Sequence, residues 1–134
     1  MDIASRIESF LAAPSYAVVG ASRDREKYGN KVLRCYLQKD RRVFPVNPGA
    51  TEVEGLTAYP SLTDLPEPVE SVSIITPPHV TETVVEDAHR AGVRNLWMQP
   101  GAESPAAVER AESLGMNVIA DGSCVLVVLG FHGP

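Results

Sequence analysis

Short apolar runs alternate along this chain with segments in which apolar residues recur at helical spacing. The runs are three or four residues long and are predicted to be strands: Tyr16–Val19, Val43–Val46, Thr57–Tyr59, Val72–Ile75, Leu96–Met98 and Val118–Ala120. Buried strands separated by helices are typical of parallel βαβ units, whose crossovers are right-handed. We therefore predict an α/β fold with a Rossmann-like, doubly wound, mainly parallel sheet of five to six strands flanked by helices.

Proline and serine positions predict where several of these elements begin and end. Pro14 is expected to end a first helix, and Pro78 to open the helix after the fourth strand. Ser104 is expected to cap the next helix. Because Pro45 cannot donate a hydrogen bond to a ladder, the strand Val43–Val46 is predicted to lie at a sheet edge or to end there.

Length, charge and composition narrow the functions that the chain can have. Its 134 residues suit one domain over 1–134, with no repeat or linker to divide it. A net charge of −5 and only 6% aromatic residues argue against a nucleic-acid partner. The longest apolar run, Cys124–Leu129, is too short to cross a membrane, and two cysteines are too few for a disulfide framework. We expect a reduced, cytoplasmic protein with no nucleic-acid or membrane partner.

Four loops are candidates for ligand binding, because a doubly wound sheet binds ligands beyond the carboxyl ends of its strands. They follow Gly20, Val46, Ile75 and Met98, and the first of them is predicted to be a polar loop from Ala21 to Gly29. The first loop has a glycine for a tight turn and the hydroxyl and amide of Ser22 near a helix start, which together favour an anion. Residues 23–34 carry five basic and two acidic side chains, so this segment is +3 and the rest of the chain −8. The charge indicates a phosphate-bearing ligand, although a solvated surface run has the same pattern.

The second loop argues against a standard NAD site. The strand Val43–Val46 is followed by Asn47 and Pro48. A NAD-binding domain usually carries an acid at this place, where it binds the ribose, whereas Asn47 is neutral. The G-x-G-x-x-G pattern of a NAD site is also missing at Gly20. NADP stays open because arginines could meet its extra phosphate, as does another nucleotide with a further phosphate on its ribose. The third and fourth loops offer Thr76, Gln99 and a flexible Gly101, in segments that are also typical of plain strand-to-helix turns.

No set of catalytic residues can be assembled from the sequence. The histidines His79, His89 and His132 have no partners at the spacing of a metal site or a triad. Cys35 is expected to pack in the core. Cys124 could approach a thiol ligand, but a small buried residue is the more usual role. Binding is therefore favoured over catalysis, and whether the chain is an enzyme is left open.

Five segments carry motifs in a fixed order: Val18–Ser22, Lys27–Leu33, Val46–Pro48, Ile75–Pro78 and Trp97–Ala102. In this order they resemble the stand-alone CoA-binding proteins of bacteria, which are similar to the N-terminal CoA-binding domain of the succinyl-CoA synthetase α subunit. The likeness covers nearly the whole chain. It implies coenzyme A or an acyl-CoA lying across the strand ends, in a binding fold without the synthetase's phosphohistidine domain or its nucleotide-binding partner subunit.

The resemblance also implies which residues contact the ligand. The first loop and the helix after it would line the phosphates and flank the nucleotide, through Gly20, Ala21, Ser22, Arg23, Lys27 and Tyr28. The third and fourth loops would border the ligand and meet it near the pantetheine, through Thr76, Pro77, Gln99 and Gly101. Asn47 completes the set, at a place where the synthetases often carry a lysine.

Three hypotheses follow from these observations. The first is a CoA-binding or acyl-CoA-binding protein without catalysis of its own. The second is a NAD(P)-binding oxidoreductase or redox-sensing module, which explains the sheet but neither the missing glycines nor Asn47. The third is a regulatory interaction module whose nucleotide site is vestigial. A homodimer is left open, since no long apolar edge indicates one.

Overall fold

The structure is a computed structural model that describes residues 2–134. Its strands are β1 (Tyr16–Val19), β2 (Val43–Val46), β3 (Glu52–Val53), β4 (Leu56–Thr57), β5 (Ser71–Ile74), β6 (Asn95–Met98) and β7 (Asn117–Ile119). Five of them form a parallel sheet in the order β2-β1-β5-β6-β7, and β3 and β4 form a separate antiparallel hairpin. The prediction of a Rossmann-like α/β fold is confirmed.

Helices cover both faces of this sheet. They are α1 (Ile3–Leu11), α2 (Tyr28–Gln38), α3 (Pro78–Arg90), α4 (Pro105–Ser113) and α5 (Val125–Leu129), with a 3-10 turn at Leu62–Asp64. Successive strand residues point to opposite faces. Ala17 and Val19 of β1 therefore lie in the core with α3 and α4, whereas Tyr16 and Val18 lie in the core with α1, α2 and α5.

Strand β2 lies at one edge of the sheet, which confirms the prediction made from Pro45. The Pro45 carbonyl accepts a hydrogen bond from the backbone amide of Tyr59 at 3.0 Å. The nitrogen and the carbonyl of one strand residue face the same side, so the missing N–H of Pro45 also faces away from β1. The proline therefore removes no hydrogen bond from the five-stranded ladder.

The predicted limits of β5, β6 and β7 differ from the structure by one residue, and two other predictions differ by more in their limits or their surroundings. The predicted strand Thr57–Tyr59 is wrong in its limits, because pairing with Glu52–Val53 confines β4 to Leu56–Thr57. Two-residue strands are too short to show a period of two, so the hairpin left no pattern in the sequence. Helix α2 begins at Tyr28, inside the predicted loop Ala21–Gly29, because a glycine at position 29 lets its first turn approach the end of β1.

The order of the strands reverses between β1 and β5. The chain passes from β1 to β2 on one side and adds β5, β6 and β7 on the other. In sheets of this kind the crevice outside the carboxyl ends at the reversal is the usual ligand site. Gly20 follows β1 and Ile75 follows β5, so the segments that begin at these two residues border the expected crevice.

Candidate functional site

A pocket of about 690 Å³ lies at this crevice. The ends of β1, β2 and β5, the start of α2, the segment before and within the 3-10 turn, and one face of α3 form its walls. The lining residues are Val19, Gly20, Ala21, Ser22, Lys27, Tyr28, Gly29, Val46, Asn47, Pro48, Pro60, Ser61, Leu62, Ile75, Thr76, Val80, Thr83, Val84 and Asp87. The volume lies within the range of small-molecule and cofactor sites.

Two glycines allow the walls of the pocket to meet. Gly20 has a φ of +92°, and a Cβ at this position would lie 2.2 Å from the carbonyl oxygen of Ile75. A Cβ on Gly29 would lie 1.9 Å from the carbonyl oxygen of Gly20. Side chains at these positions would push apart β1, β5 and the first turn of α2. The glycines therefore bring the backbone of the first loop against the start of α2.

The first loop and the start of α2 offer backbone amides to an anion. The N–H groups of Ala21 and Ser22 donate to no acceptor among residues 2–134. Lys27 is the N-cap of α2, and no side chain caps the amides of its first turn. The N-terminus of an eleven-residue helix also carries partial positive charge. Amide donors and a helix N-terminus on one wall form a site that suits a phosphate group.

A buried polar network holds the first loop in place. Asn30, which is fully buried in α2, donates through Nδ2 to the Ser22 carbonyl at 2.8 Å and to the Glu54 carboxylate at 3.0 Å. Its Oδ1 accepts from Arg34 Nε at 2.6 Å, and Arg34 also donates to the Arg25 carbonyl at 3.1 Å. The network joins the loop, helix α2 and the β3–β4 hairpin. It thereby limits the conformations of the loop before any ligand binds.

Asn47 fastens the end of β2 to the first loop. Its Nδ2 donates to the Ala21 carbonyl at 2.8 Å, and its Oδ1 accepts from the Gly49 amide at 2.7 Å. Both polar groups of the side chain are thus used within the protein. The structure gives the residue a positioning contact that its place in the sequence did not predict.

Thr76 and Pro77 lead from β5 into α3. The hydroxyls of Thr76 and Thr81 lie 2.7 Å apart, and Thr76 lines the pocket. Pro77 is the N-cap of α3 and lies outside the lining, and Pro78 opens the helix as predicted. The third loop therefore places Thr76 in the pocket wall, with its hydroxyl bonded to buried Thr81 and a rigid proline turn behind it.

Gln99 and Gly101 lie outside the pocket, at the end of β6. The Gln99 side chain is buried, where it donates to Cys124 Sγ at 3.3 Å and accepts from the Val125 amide at 2.9 Å. The Gly101 amide donates to the Glu103 carboxylate at 2.9 Å. Both residues help to shape the loops beside the pocket.

The structure brings most of the predicted site residues together. Seven of the eleven line the pocket: Gly20, Ala21, Ser22, Lys27, Tyr28, Asn47 and Thr76. The other four lie outside its lining: Arg23, Pro77, Gln99 and Gly101. The contacts that all eleven would make with a ligand stay predictions.

Helix α3 forms a wall of the pocket that was not predicted from the sequence. Val80, Thr83, Val84 and Asp87 line the pocket at positions i, i+3, i+4 and i+7 of the helix. The spacing of Val80 and Val84 is typical of a helix face that packs inward. Thr83 and Asp87 lie on the same face, and these polar residues were the sequence signal that could have indicated a pocket wall. The segment before the 3-10 turn, including Pro60, left no signal of this kind.

The histidine, cysteine and acidic side chains of the described chain form no metal site. No three His, Cys, Asp or Glu side chains among residues 2–134 lie together as metal ligands would. His79, His89 and His132 are absent from the pocket lining. Burial raises the pKa of the Cys35 thiol, and Cys35 and Cys124 are both free. Cys35 is buried in α2, as predicted.

A comparison with models of protein families assigns the chain to one family. The model of a CoA binding domain matches residues 14–129. The chain belongs to this CoA-binding domain family.

No helix in the described part of the chain combines the length and the apolar character that a membrane crossing requires.

Two solved structures are similar to this chain over most of its length, in both backbone and sequence. A conserved hypothetical protein from Pyrococcus furiosus is 40% identical with a TM-score of 0.80, over 85% of this chain and 97% of that one. A hypothetical protein from Pyrococcus horikoshii is 30% identical with a TM-score of 0.88, over 95% of this chain and 89% of that one.

Larger CoA ligases contain a related segment. Subunit alpha of the ADP-forming acetate–CoA ligase II from Pyrococcus furiosus is 29% identical over 130 residues, which cover 89% of this chain. The chain spans between 11% and 28% of the length of the four ADP-forming acetate–CoA ligases or subunits that it matches. The similarity to these ligases therefore concerns one part of each.

Proposed function

We propose that this member of the CoA-binding domain family binds coenzyme A or an acyl-CoA in the pocket between β1 and β5. One observation carries the proposal: unpaired amides of the first loop and the uncapped N-terminus of α2 line the same cavity at the reversal of the strand order. A diphosphate is the part of CoA that matches such donors.

The charge of the chain supports an anionic ligand at this end of the pocket. Lys27 lines the cavity, and Arg23 and Lys31 lie in the same basic segment. Arg25 is engaged by Glu54 at 3.6 Å. The 3′-phosphate of CoA adds charge that NAD lacks, so the proposal assigns Arg23 and Lys27 to the phosphates and the exposed ring of Tyr28 to the nucleotide.

The remaining predicted residues border the rest of the ligand in this proposal. Thr76 and Pro77 form the wall next to the ribose, and Asn47 holds the first loop in its binding conformation. Gln99 and Gly101 follow β6, the strand next to β5, so a pantetheine arm that leaves the pocket along the strand ends passes them. These roles require a ligand that extends beyond the cavity itself.

We assign no reaction to this chain. Lys27 and Asp87 are the charged residues of the pocket lining in the described chain, and neither is paired with a nucleophile there. Acyl-group chemistry would need such a pair, or a partner protein that supplies one. We propose that residues 1–134 form a single ligand-binding unit that presents CoA in a reduced, cytoplasmic setting.

Isothermal titration of the purified chain with CoA tests the proposal. We expect about one CoA per chain, and weaker binding of dephospho-CoA because it lacks the ribose phosphate. Equal affinity for the two would remove the argument from the basic segment. Absence of CoA binding would overturn the proposal.

A bulky substitution locates the site. Ser22→Trp fills the first loop and should abolish CoA binding while the chain stays folded. Ser113→Trp, at an exposed serine in the last turn of α4 and outside the pocket, is the matched control and should bind normally. Retained affinity in Ser22→Trp would place the ligand elsewhere.

Saturation-transfer NMR with CoA, NADH and NADPH in competition separates the alternatives. We expect CoA to displace both dinucleotides. A vestigial site would show no ligand signal and no rise in melting temperature, whereas a ligand at 100 times its Kd stabilises a protein by about 2.7 kcal/mol.

A further inference from the structure

One face of α3 forms a two-turn wall of the pocket. Val80, Thr83, Val84 and Asp87 all line it. With a rise of about 1.5 Å per residue, the wall extends about 10 Å along the helix axis from Val80 to Asp87. Val80 lies near Thr76 and the strand end, so Asp87 marks the far end of the wall.

An apolar slot lies between this wall and the residues that face it. Val46 at the end of β2, Pro60 before the 3-10 turn and Leu62 within it line the same cavity as Val80 and Val84. The 3-10 turn packs against α3. Apolar side chains on both sides of this slot suit a flat ring that leaves water, such as a nucleobase.

The two ends of the pocket carry opposite charge. Of the lining residues in the part of the chain that the structure describes, only Lys27 is basic and only Asp87 is acidic. Lys27 lies at the start of α2, whose Gly29 approaches Gly20 after β1. Asp87 lies two turns into α3, the helix that follows β5. Lys27 attracts the phosphates of a ligand, so they are directed to its end of the pocket, whereas the acidic end offers them no cation of the lining.

The chemistry of Asp87 defines what can lie against it. An ionised carboxylate only accepts hydrogen bonds. Arg90, which lies outside the pocket lining, contacts Oδ1 of Asp87, and Oδ2 has no partner among residues 2–134. Thr83, one turn earlier on the same wall, makes no hydrogen bond through its hydroxyl within the described chain. The far end of the slot therefore accepts a group that carries N–H donors.

We propose that Asp87 is the specificity-determining residue for the base, accepting a hydrogen bond from the exocyclic amino group of an adenine held in the slot between α3 and the 3-10 turn. This inference rests on the proposed function, since it requires the phosphates to lie at the Lys27 end. It adds a residue that reads the base to a site otherwise described by its phosphate donors.

A cycle of ligand and residue deletions tests the inference. Adenosine 3′,5′-bisphosphate and its purine analogue without the 6-amino group are titrated calorimetrically into the unmodified chain and into Asp87→Ala. A hydrogen bond to a charged acceptor predicts that the unmodified chain binds the adenosine compound about tenfold or more tightly than the analogue. In Asp87→Ala the two affinities should lie within about twofold of each other.

Two further variants show that the effect belongs to the side chain of Asp87. Asp87→Asn keeps an acceptor oxygen and should retain part of the preference. Glu86→Ala removes the neighbouring carboxylate, which pairs with Arg110 outside the pocket, and should retain all of it.

The outcomes separate the two proposals. Equal affinity of the unmodified chain for both nucleotides, or an undiminished preference in Asp87→Ala, would overturn the role of Asp87 while CoA binding stands. A preference lost equally in Glu86→Ala would also overturn it. Failure of the unmodified chain to bind either nucleotide or CoA would overturn the proposed function together with this inference.

Discussion

The carbonyl oxygen of Gly20 lies 1.9 Å from the point where a residue at position 29 would carry its Cβ. The end of β1 and the first turn of α2 are therefore in contact through backbone alone. This contact brings the helix N-terminus to the first loop. Any side chain at position 29 has to separate the two.

Substitution of Gly29 by alanine should destabilise the chain and weaken CoA binding. In a helix, alanine is favoured over glycine by about 1 kcal/mol of intrinsic propensity. A net loss of stability would therefore show that the clash with the Gly20 carbonyl outweighs this gain. We expect a net loss of about 1–3 kcal/mol in the free energy of urea unfolding, as in other overpacked sites. Gly49→Ala, whose Cβ would meet a side-chain oxygen at 3.3 Å, is the matched control and should lose less. A stabilised Gly29→Ala variant would contradict the close approach.

Asn47→Asp tests whether the end of β2 positions the first loop. Aspartate cannot donate to the Ala21 carbonyl, which would then face a carboxylate oxygen at hydrogen-bond distance. We expect a loss of about 1–3 kcal/mol in unfolding free energy and weaker CoA binding. The new acid should also give no NADH affinity, because the first loop lacks the glycine pattern of a NAD site. NADH binding by this variant in titration calorimetry would support the dinucleotide alternative instead.

Asn30→Ala tests the buried network beneath the loop. The change leaves the Ser22 carbonyl and the Arg34 Nε–H without their partner and should cost about 1–3 kcal/mol in unfolding free energy. Hydrogen exchange should become faster at residues 22–25 than in the unmodified chain. Gln38→Ala removes an exposed hydrogen-bonding side chain from the same helix and serves as the control. Unchanged exchange in the loop would show that Asn30 does not restrain it.

Tyr36 should make the chain less stable in alkaline solution. Burial raises the pKa of its phenol, which shares a 2.7 Å hydrogen bond with Ser73. Above the ordinary value of about 10 the unfolded phenol loses its proton while the native one keeps it. The native state then binds more protons, so stability falls by up to about 1.4 kcal/mol per pH unit for this group. Tyr36→Phe should show a shallower decline in urea unfolding between about pH 9 and about pH 11. An equal decline in both proteins would contradict this origin.

The sequence predicts the parallel sheet well because its buried strands are continuous apolar runs. The limits of β1 and β2 follow from such runs, and the edge position of β2 follows from the chemistry of Pro45. The β3–β4 hairpin escaped prediction because each of its strands has two residues. Its position depends on contacts such as that of Glu54 with Asn30, which join residues far apart in the chain.

The candidate site was predictable where it depends on the backbone and not where it depends on packing. Gly20 and Ser22 could be predicted as site residues because they lie between the end of a buried strand and the start of a helix. Asp87 and Thr83 belong to a helix that passes the pocket, and only the packing of α3 against the sheet and the 3-10 turn shows which of its residues face the cavity. The tie between Asn47 and Ala21 likewise depends on how two loops meet.

A crystal structure of the chain with CoA tests the central claim most directly. We expect the diphosphate on the amides of Ala21 and Ser22 at the start of α2, with the base between α3 and the 3-10 turn. A second groove lies beside the outer edge of β2 and is lined by Arg42, Phe44 and Thr57 among others. CoA in that groove, or a first loop without ligand at saturating CoA, would contradict the assignment of the pocket between β1 and β5.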